Sequence, residues 1–360
     1  MSISSISLKS NIRDYNAFFV DSCDFLEEYK KTENKVFIVD ENVWKHHADG
    51  CLSLIKDSDT LVLPISEEAK CLDSVLTLYD QMLERSAKRN ITIISIGGGI
   101  TQDITGYAAS TLYRGVNWVY VPTTLLAQAD SCVGSKTSLN YKHFKNLVGT
   151  FYPPTSIYIY SQFLDTLQDF DYYSGVGEVV KLHLMGGEEK IEKLVGRMDQ
   201  VIDKDHSVMT DVIRDSLLIK KGYMEDDEFD LGRRNMLNFG HCFGHALESA
   251  TDFMMPHGQA VTLGMIIANK VAKNRGLLND ALQEHINQNI LWPAVKLPEK
   301  AFSFDNEAVV EAMKQDKKRI GEDLALVMLT DSHEMVKVTD LAIDEALASL
   351  KQFQDDVCRV

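Results

Sequence analysis

The fold class that the sequence predicts is an α/β nucleotide-binding domain with a mainly parallel sheet, followed by a mainly α-helical domain. Three observations predict it. Short β-branched runs alternate with helical stretches through the first half; a run of consecutive glycines closes one of the strand candidates; and beyond about residue 165 strand signals nearly vanish while helical periodicity takes over.

The strand candidates are KVFIVD (35–40), TLVLPI (60–65), ITIISIGGG (91–99) and WVYVP (118–122). Residues 42–56 and 67–89 between them read as helices, the alternation expected of a parallel sheet covered by helices. FYPPTSIYIYSQF (151–163) carries adjacent prolines, which disfavour helix, and then a short strand pattern. Helical periodicity follows in 174–185, 188–224, 235–252, 258–275 and 280–290. A chain of 360 residues exceeds the size at which one core usually stops growing, so two domains are expected, 1–165 and 166–360.

A net charge of -16 disfavours a broad electrostatic grip on nucleic acid or an anionic membrane, but leaves room for an anionic substrate in a local basic pocket. Six cysteines (Cys23, Cys51, Cys71, Cys132, Cys242, Cys358) lack any C-x-x-C pair, the start MSISSISLKSNIRD is polar, and no apolar run reaches a membrane-spanning length. A reduced, cytoplasmic setting is expected.

Gly97, Gly98 and Gly99 follow a strand and precede a helix expected to start near Asp103, so their N–H groups can cradle a pyrophosphate. Gln102 stands where the last glycine of G-x-G-x-x-G would be, and a bare strand-to-helix turn is the competing reading. The polar stretch 121–154 is too long for an idle connection in a compact domain. Within it Asp130, Lys136, Lys145 and Asn146 have the chemistry to hold a phosphate and hydroxyls, against the plainer reading of a solvated loop. Arg114 can reach an anion or cap a helix. Glu178 and Lys181 share a helical face, as an internal ion pair or as a site; His183 falls off that face and reads as structural.

The densest cluster is GRRNMLNFGHCFGHALE (232–248), with His257 nine residues after Glu248. His241 and His245 project from one helical face, a spacing by which two imidazoles can reach one metal. Cys242 occupies the glutamate position of H-E-x-x-H, so a zinc-protease reading lacks its general base. Glu178 can complete three protein ligands and leave positions open, as a catalytic metal requires. Lys220 and Arg234 flank the acidic run EDDEFD (225–230), and KQDKKR (314–319) repeats the basic theme; a solvated charged face is the alternative for both.

Taken together, GGGITQD, VPTTLLAQADSCVGSKTSLN, GEVVK, LNFGHCFGHALE and HGQAV resemble, in order, the motifs of the 3-dehydroquinate synthase family of sugar-phosphate cyclases, from VDEN (39–42) to DKKR (316–319). The resemblance implies metal ligands Glu178, His241 and His257, with zinc or cobalt as the metal, and frees His245 for the substrate phosphate. It implies NAD contacts at Asp40, Asn42, Glu67, Lys70, Gly98, Gly99, Asp103, Thr123, Thr124, Lys145, Phe163 and Thr166. Substrate contacts carry over to Asp130, Lys136, Asn146, Lys181, Lys220, Arg234, Asn238, His245 and Lys317. Arg114 would reach a neighbouring subunit's site, which implies a homodimer.

The family reaction oxidises a ring carbinol with NAD, eliminates phosphate, returns the hydride and closes the carbocycle by an aldol step, with no net redox change. Lys220 and Arg234 match positions that the resemblance assigns to a substrate carboxylate, which favours 3-deoxy-arabino-heptulosonate 7-phosphate over sedoheptulose 7-phosphate or glucose 6-phosphate. Gln102 and Ser135 in place of glycines, with Cys132 and Cys242 where serine and threonine are usual, leave a paralogue of secondary or surface-polysaccharide metabolism as the alternative. An iron-containing or glycerol dehydrogenase, which would release NADH, is a more distant one.

Overall fold

The computed structural model describes residues 4–85, 87–142, 144–315 and 324–357, which form two compact units. The first contains Met1–Leu167 and Met224–Phe229, the second Gln168–Tyr223 and Asp230–Val360. Among the described residues no helix is long and apolar enough to cross a membrane.

In the first unit β1 (Ser4–Leu8), β2 (Tyr15–Phe19), β3 (Lys35–Asp40), β4 (Thr60–Leu63), β5 (Thr92–Gly97), β6 (Asn117–Pro122) and β9 (Ser156–Ile159) form a sheet of order β1-β2-β9-β6-β5-β3-β4. All neighbours are parallel except β1 and β2. The central strands are β-branched on both faces because both are covered: Ile38, Val39, Ile94, Ile96, Val119 and Val121 are fully buried. The β1–β2 pair was not expected, since SSISL and YNAFF bury only alternate residues.

Stretch 121–154 is not a loop. After a π-turn at Ala127–Ser131 it folds into an antiparallel hairpin of β7 (Lys136–Tyr141) and β8 (Phe144–Phe151). The helix after the glycines runs Gly99–Thr111, starting four residues before Asp103. The expected helix over 42–56 is Glu41–His47 followed by the 3-10 turn Cys51–Ile55, and that over 67–89 shrinks to Leu72–Glu84.

In the second unit, the expected 188–224 helix is broken into Glu188–Val195, Met198–Ile202 and His206–Met224. The second break falls at Lys204, whose left-handed backbone (φ 59°) cannot continue a helix. The hairpin of β10 (Leu324–Leu329) and β11 (Met335–Leu341) interrupts the expected all-helical half, and β10 is apolar throughout because it packs on the helix His257–Asn274. His183 is buried, its Nδ1–H donating to Val179 O (2.8 Å); burial pulls its pKa down to about 4, so it stays neutral.

Helices Asp169–Met185, His241–Ala250 and His257–Asn274 meet through glycines. A Cβ on Gly258 would lie 1.8 Å from Ser174 O, and one on Gly177 would lie 2.0 Å from Gly258 O. A Cβ on Gly264 would lie 2.0 Å from Gly240 O. Backbone therefore touches backbone where any side chain would force the helices apart. These contacts seat Glu178, His241 and His257, the neighbours of Gly177, Gly240 and Gly258, at one place.

Segment Met224–Phe229 joins the first unit through Glu228, a buried carboxylate within the run expected to be a solvated face. It accepts from Ser10 Oγ (2.6 Å), Asn11 N (2.7 Å), Asn11 Nδ2 (3.0 Å) and Ser135 Oγ (3.1 Å). Burial works against its charge, but these donors hold its pKa below the usual carboxylate range.

Two outcomes follow. Gly258→Ala should lower unfolding stability by about 2 kcal/mol or more, because the new methyl meets a carbonyl, whereas Gly222→Ala, with nothing within 4 Å of its Cβ, should be neutral or stabilising; denaturant midpoints read both. Glu228→Gln should cost about 1–3 kcal/mol near neutral pH. Because the folded pKa is depressed, the wild-type advantage is complete above the unfolded value of ~4.3 and is lost as pH falls through the folded value. A stability difference that stayed constant from pH 6 to pH 3 would contradict this.

Candidate active site

In the first unit the helix Gly99–Thr111 begins at the carboxyl end of β5 with no side chain capping it, so its first N–H groups face outward. Gly98 occupies the N-cap, where a Cβ would lie 2.9 Å from Thr124 Cγ2. Thr123 N–H donates to Gly97 O (3.0 Å), and Thr124 Oγ1 accepts from Ala127 N–H (3.2 Å). Gln102 locks the helix to the π-turn: its Nε2 donates to Ser131 O (2.8 Å) and its Oε1 accepts from Ser131 Oγ (2.8 Å). The departure from glycine at 102 thus has a structural use.

Beside this helix lies a polar network. Lys70 Nζ pairs with Asp103 Oδ2 (2.6 Å) and donates to Asn146 Oδ1 (2.6 Å), while Ser138 N–H donates to Asp103 Oδ1 (2.7 Å). Burial raises the Asp103 pKa against the pull of Lys70. Asn140, which sequence reasoning missed, donates from Nδ2 to Glu67 Oε1 (2.8 Å) and accepts from Asn146 N–H (2.9 Å). Its signal was its place near the end of β7, invisible while 121–154 read as a loop. Glu67, Lys70, Asp103 and Asn146 are therefore neighbours.

Asp40 caps the helix Glu41–His47 by accepting from Asn42 N–H (2.8 Å), and burial raises its pKa. Thr166 Oγ1 is 2.8 Å from His47 Nε2, and Phe163 is buried against the same ring. Asp130 lies half-buried within the π-turn, Lys136 opens β7 with its side chain exposed, and Lys145 is exposed on β8. Arg114 is exposed in a left-handed conformation (φ 65°). Ser135, where a glycine would be usual, is also left-handed (φ 63°) and is tied to Glu228.

In the second unit Glu178 Oε1 lies 3.3 Å from His257 Nε2 and 3.8 Å from His241 Nε2. His241 Nδ1–H donates to Phe239 O (3.1 Å), and His257 Nδ1–H donates to Glu248 Oε2 (3.0 Å). A carbonyl only accepts, so on His241 the lone pair is on Nε2 and faces the carboxylate. Tetrahedral coordination at ~2.1 Å places ligand atoms about 3.4 Å apart, which these separations approach. Glu178 Oε2 pairs with Lys181.

Burial, reinforced by Lys181, drives His241 well below the usual histidine pKa and keeps it neutral, the form that ligates metal. Burial also opposes charge on His257, yet Glu178 and Glu248 raise it to about 10, so the site attracts a positive charge that a proton or a metal can supply. Glu248, to which sequence reasoning gave no role, orients His257 as an outer carboxylate.

His245 is exposed, its ring 5.2 Å from His241 and 5.6 Å from His257, and the three imidazoles each offer a nitrogen within 4.8 Å of the others. Lys181, Lys220 and Arg234 are buried cations of this unit. Asn238 ends the turn Arg233–Asn238, its Nδ2 donating to Asn235 O (2.8 Å). Lys317, with Lys318, DKKR and Cys358, lies outside the described residues.

Known proteins match both halves of the chain. Residues 60–174 match the family described as 3-dehydroquinate synthase N-terminal, and residues 175–319 match 3-dehydroquinate synthase C-terminal. A 3-dehydroquinate synthase of Acetivibrio thermocellus is 33% identical, over 90% of this chain and 92% of that one. One of Clostridium tetani is 35% identical, over 91% and 88%. A crystal structure of 2-deoxy-scyllo-inosose synthase complexed with carbaglucose-6-phosphate, NAD+ and Co2+ shares the fold, with a TM-score of 0.86 at 22% identity over 97% of this chain and 100% of that one. With both halves matched in order and near full-length relatives at this identity, the chain belongs to the 3-dehydroquinate synthase family.

Proposed function

We propose that this chain is a metal- and NAD-dependent cyclase, a carbon–oxygen lyase that converts 3-deoxy-arabino-heptulosonate 7-phosphate to 3-dehydroquinate and phosphate. The observation that carries it is the approach of Glu178 Oε1 to the Nε2 atoms of His241 and His257, at 3.8 and 3.3 Å. Residues 1–165 are assigned to the nucleotide and 166–360 to metal and substrate.

The residues fit both groups. A carboxylate oxygen and two imidazole nitrogens suit zinc or cobalt and leave positions open. The uncapped start of Gly99–Thr111, with no Cβ at Gly98 or Gly99, suits a pyrophosphate. Asp40, Asn42, Glu67, Lys70, Asp103, Thr123, Thr124, Lys145, Phe163 and Thr166 are assigned to the rest of the cofactor. When bound, NAD takes up and returns a hydride and the metal polarises the oxygen of the carbinol being oxidised.

The chain's own residues then bind and orient. Lys220 and Arg234 hold the substrate carboxylate, and their burial strengthens that pairing relative to water. His245, exposed beside the proposed ligands, takes the phosphate, and Lys136, Asn146 and Asn238 are each assigned to the substrate. Lys181 fixes the Glu178 carboxylate from its far oxygen. Asp130 and Lys317 complete the substrate contacts, and Arg114 serves the site of a second copy in a homodimer. Reduced cytoplasm is the proposed compartment.

Metal-loaded protein given NAD+ and 3-deoxy-arabino-heptulosonate 7-phosphate should release phosphate without net NADH. Release only with sedoheptulose 7-phosphate or glucose 6-phosphate would overturn the substrate assignment, and accumulation of NADH would overturn the cyclase. Glu178→Gln should abolish turnover and weaken metal binding with the far-ultraviolet circular dichroism unchanged; normal activity with metal still bound would refute the ligand assignment.

A further inference from the structure

Asn140, half-buried near the end of β7, has no part in the reaction proposed above, yet it joins two residues that do. β8 bulges opposite it: Leu139 pairs with Val148 and Tyr141 with Phe144, so Lys145, Asn146 and Leu147 stand opposite Asn140 alone. Within the bulge Asn146 is left-handed (φ 54°). Its N–H, turned out of the ladder, donates to Asn140 Oδ1 (2.9 Å), so a side chain stands in for a backbone carbonyl.

The other end of the same amide holds a different segment. Asn140 Nδ2 donates to Glu67 Oε1 (2.8 Å) and to Glu67 O (3.2 Å), and Asn140 N–H donates to Lys70 O (2.8 Å). A backbone donor at one end and a carboxylate at the other leave only one orientation of the amide satisfied. Asn146, so held, presents its Oδ1 to Lys70 Nζ (2.6 Å) and to Ser138 Oγ (2.9 Å).

We propose that Asn140 is a positioning residue that sets Glu67 for the nucleotide with one end of its amide and Asn146 for the substrate with the other, a role that rests on the assignment of those two residues given above. Both are exposed, so burial fixes neither, and ordering them would otherwise be a cost of each binding event. A residue that only pinned the bulge would need its acceptor alone. The donor end of Asn140 instead reaches a carboxylate 73 residues earlier in the chain. Aspartate at this position would still accept from Asn146 N–H but would set like charges against each other at Glu67, whereas alanine would release both. The two ends of the amide are thereby separable.

Metal-loaded full-length protein would be titrated with NAD+ by calorimetry, and KM for 3-deoxy-arabino-heptulosonate 7-phosphate measured at saturating NAD+, in wild type, Asn140→Ala and Asn140→Asp. Asn140→Ala should raise the NAD+ Kd and the substrate KM, each by roughly threefold to tenfold. Asn140→Asp should raise the NAD+ Kd similarly and leave the substrate KM at the wild-type value. A lowered melting temperature with Kd and KM both unchanged would reduce Asn140 to a pin for the bulge and overturn the role. Equal effects of the two variants on KM would also overturn it. If alanine prevents folding, the aspartate variant decides alone: a wild-type NAD+ Kd there contradicts the proposal. Wild-type protein that bound no NAD+, or did not turn over the heptulosonate, would overturn the underlying site assignment and this role with it, a result distinct from variants that behave as wild type.

Discussion

Backbone contact between helices at Gly177, Gly258, Gly240 and Gly264 is the constraint on which the second unit depends. A helix pair separated by ordinary side chains sits 8–10 Å apart, too far for a short carboxylate to meet imidazoles on two other helices. Removing Cβ atoms at the crossing points lets Ser174 O approach Gly258, Gly258 O approach Gly177, and Gly240 O approach Gly264. Glu178, His241 and His257, each one residue from such a glycine, inherit their positions from these contacts. The cost is helix propensity, roughly 1 kcal/mol for each interior glycine, and it is offset by burial, since nearly every residue of Tyr172–Met185 and Gly258–Ala272 is in the core.

The first unit reaches its polar site differently. A parallel sheet with both faces covered delivers β5 to the glycines, and the helix behind them starts without a cap, leaving donors for a ligand. The β7–β8 hairpin supplies Ser138 and Asn146, which bond to Asp103 and Lys70 of the ion pair, and Asn140, which accepts from Asn146 N–H. At the two glycine-to-polar departures, Gln102 and Ser135, the longer side chain has found a partner, in Ser131 and Glu228 respectively. Left-handed Ser135 has backbone strain of about 1 kcal/mol, which a hydrogen bond to a charged carboxylate is able to offset.

What the sequence disclosed follows the strength of its local signals. The β-branched run Lys35–Asp40 coincides with its strand because strands buried on both faces have no alternation to confuse. The pairs β1–β2, β7–β8 and β10–β11 escaped because they are half-polar, polar, or apolar without helical context. In the site, periodicity saw His241 with His245, which share a helix, and could not see His257 or Glu178, which meet His241 only across helix crossings. The family resemblance supplied that pairing. Asn140, His47 and Glu248 act through neighbours distant in sequence, and no spacing marks them.

The central claim is that glycine-built helix contact makes a metal centre of one carboxylate and two imidazoles. Zinc-loaded crystals measured on either side of the zinc absorption edge test it most directly. The account predicts one anomalous peak ~2.0–2.2 Å from Glu178 Oε1, His241 Nε2 and His257 Nε2, with His245 turned away from it. Zinc held instead by His241, His245 and His257, with Glu178 paired only to Lys181, would contradict it.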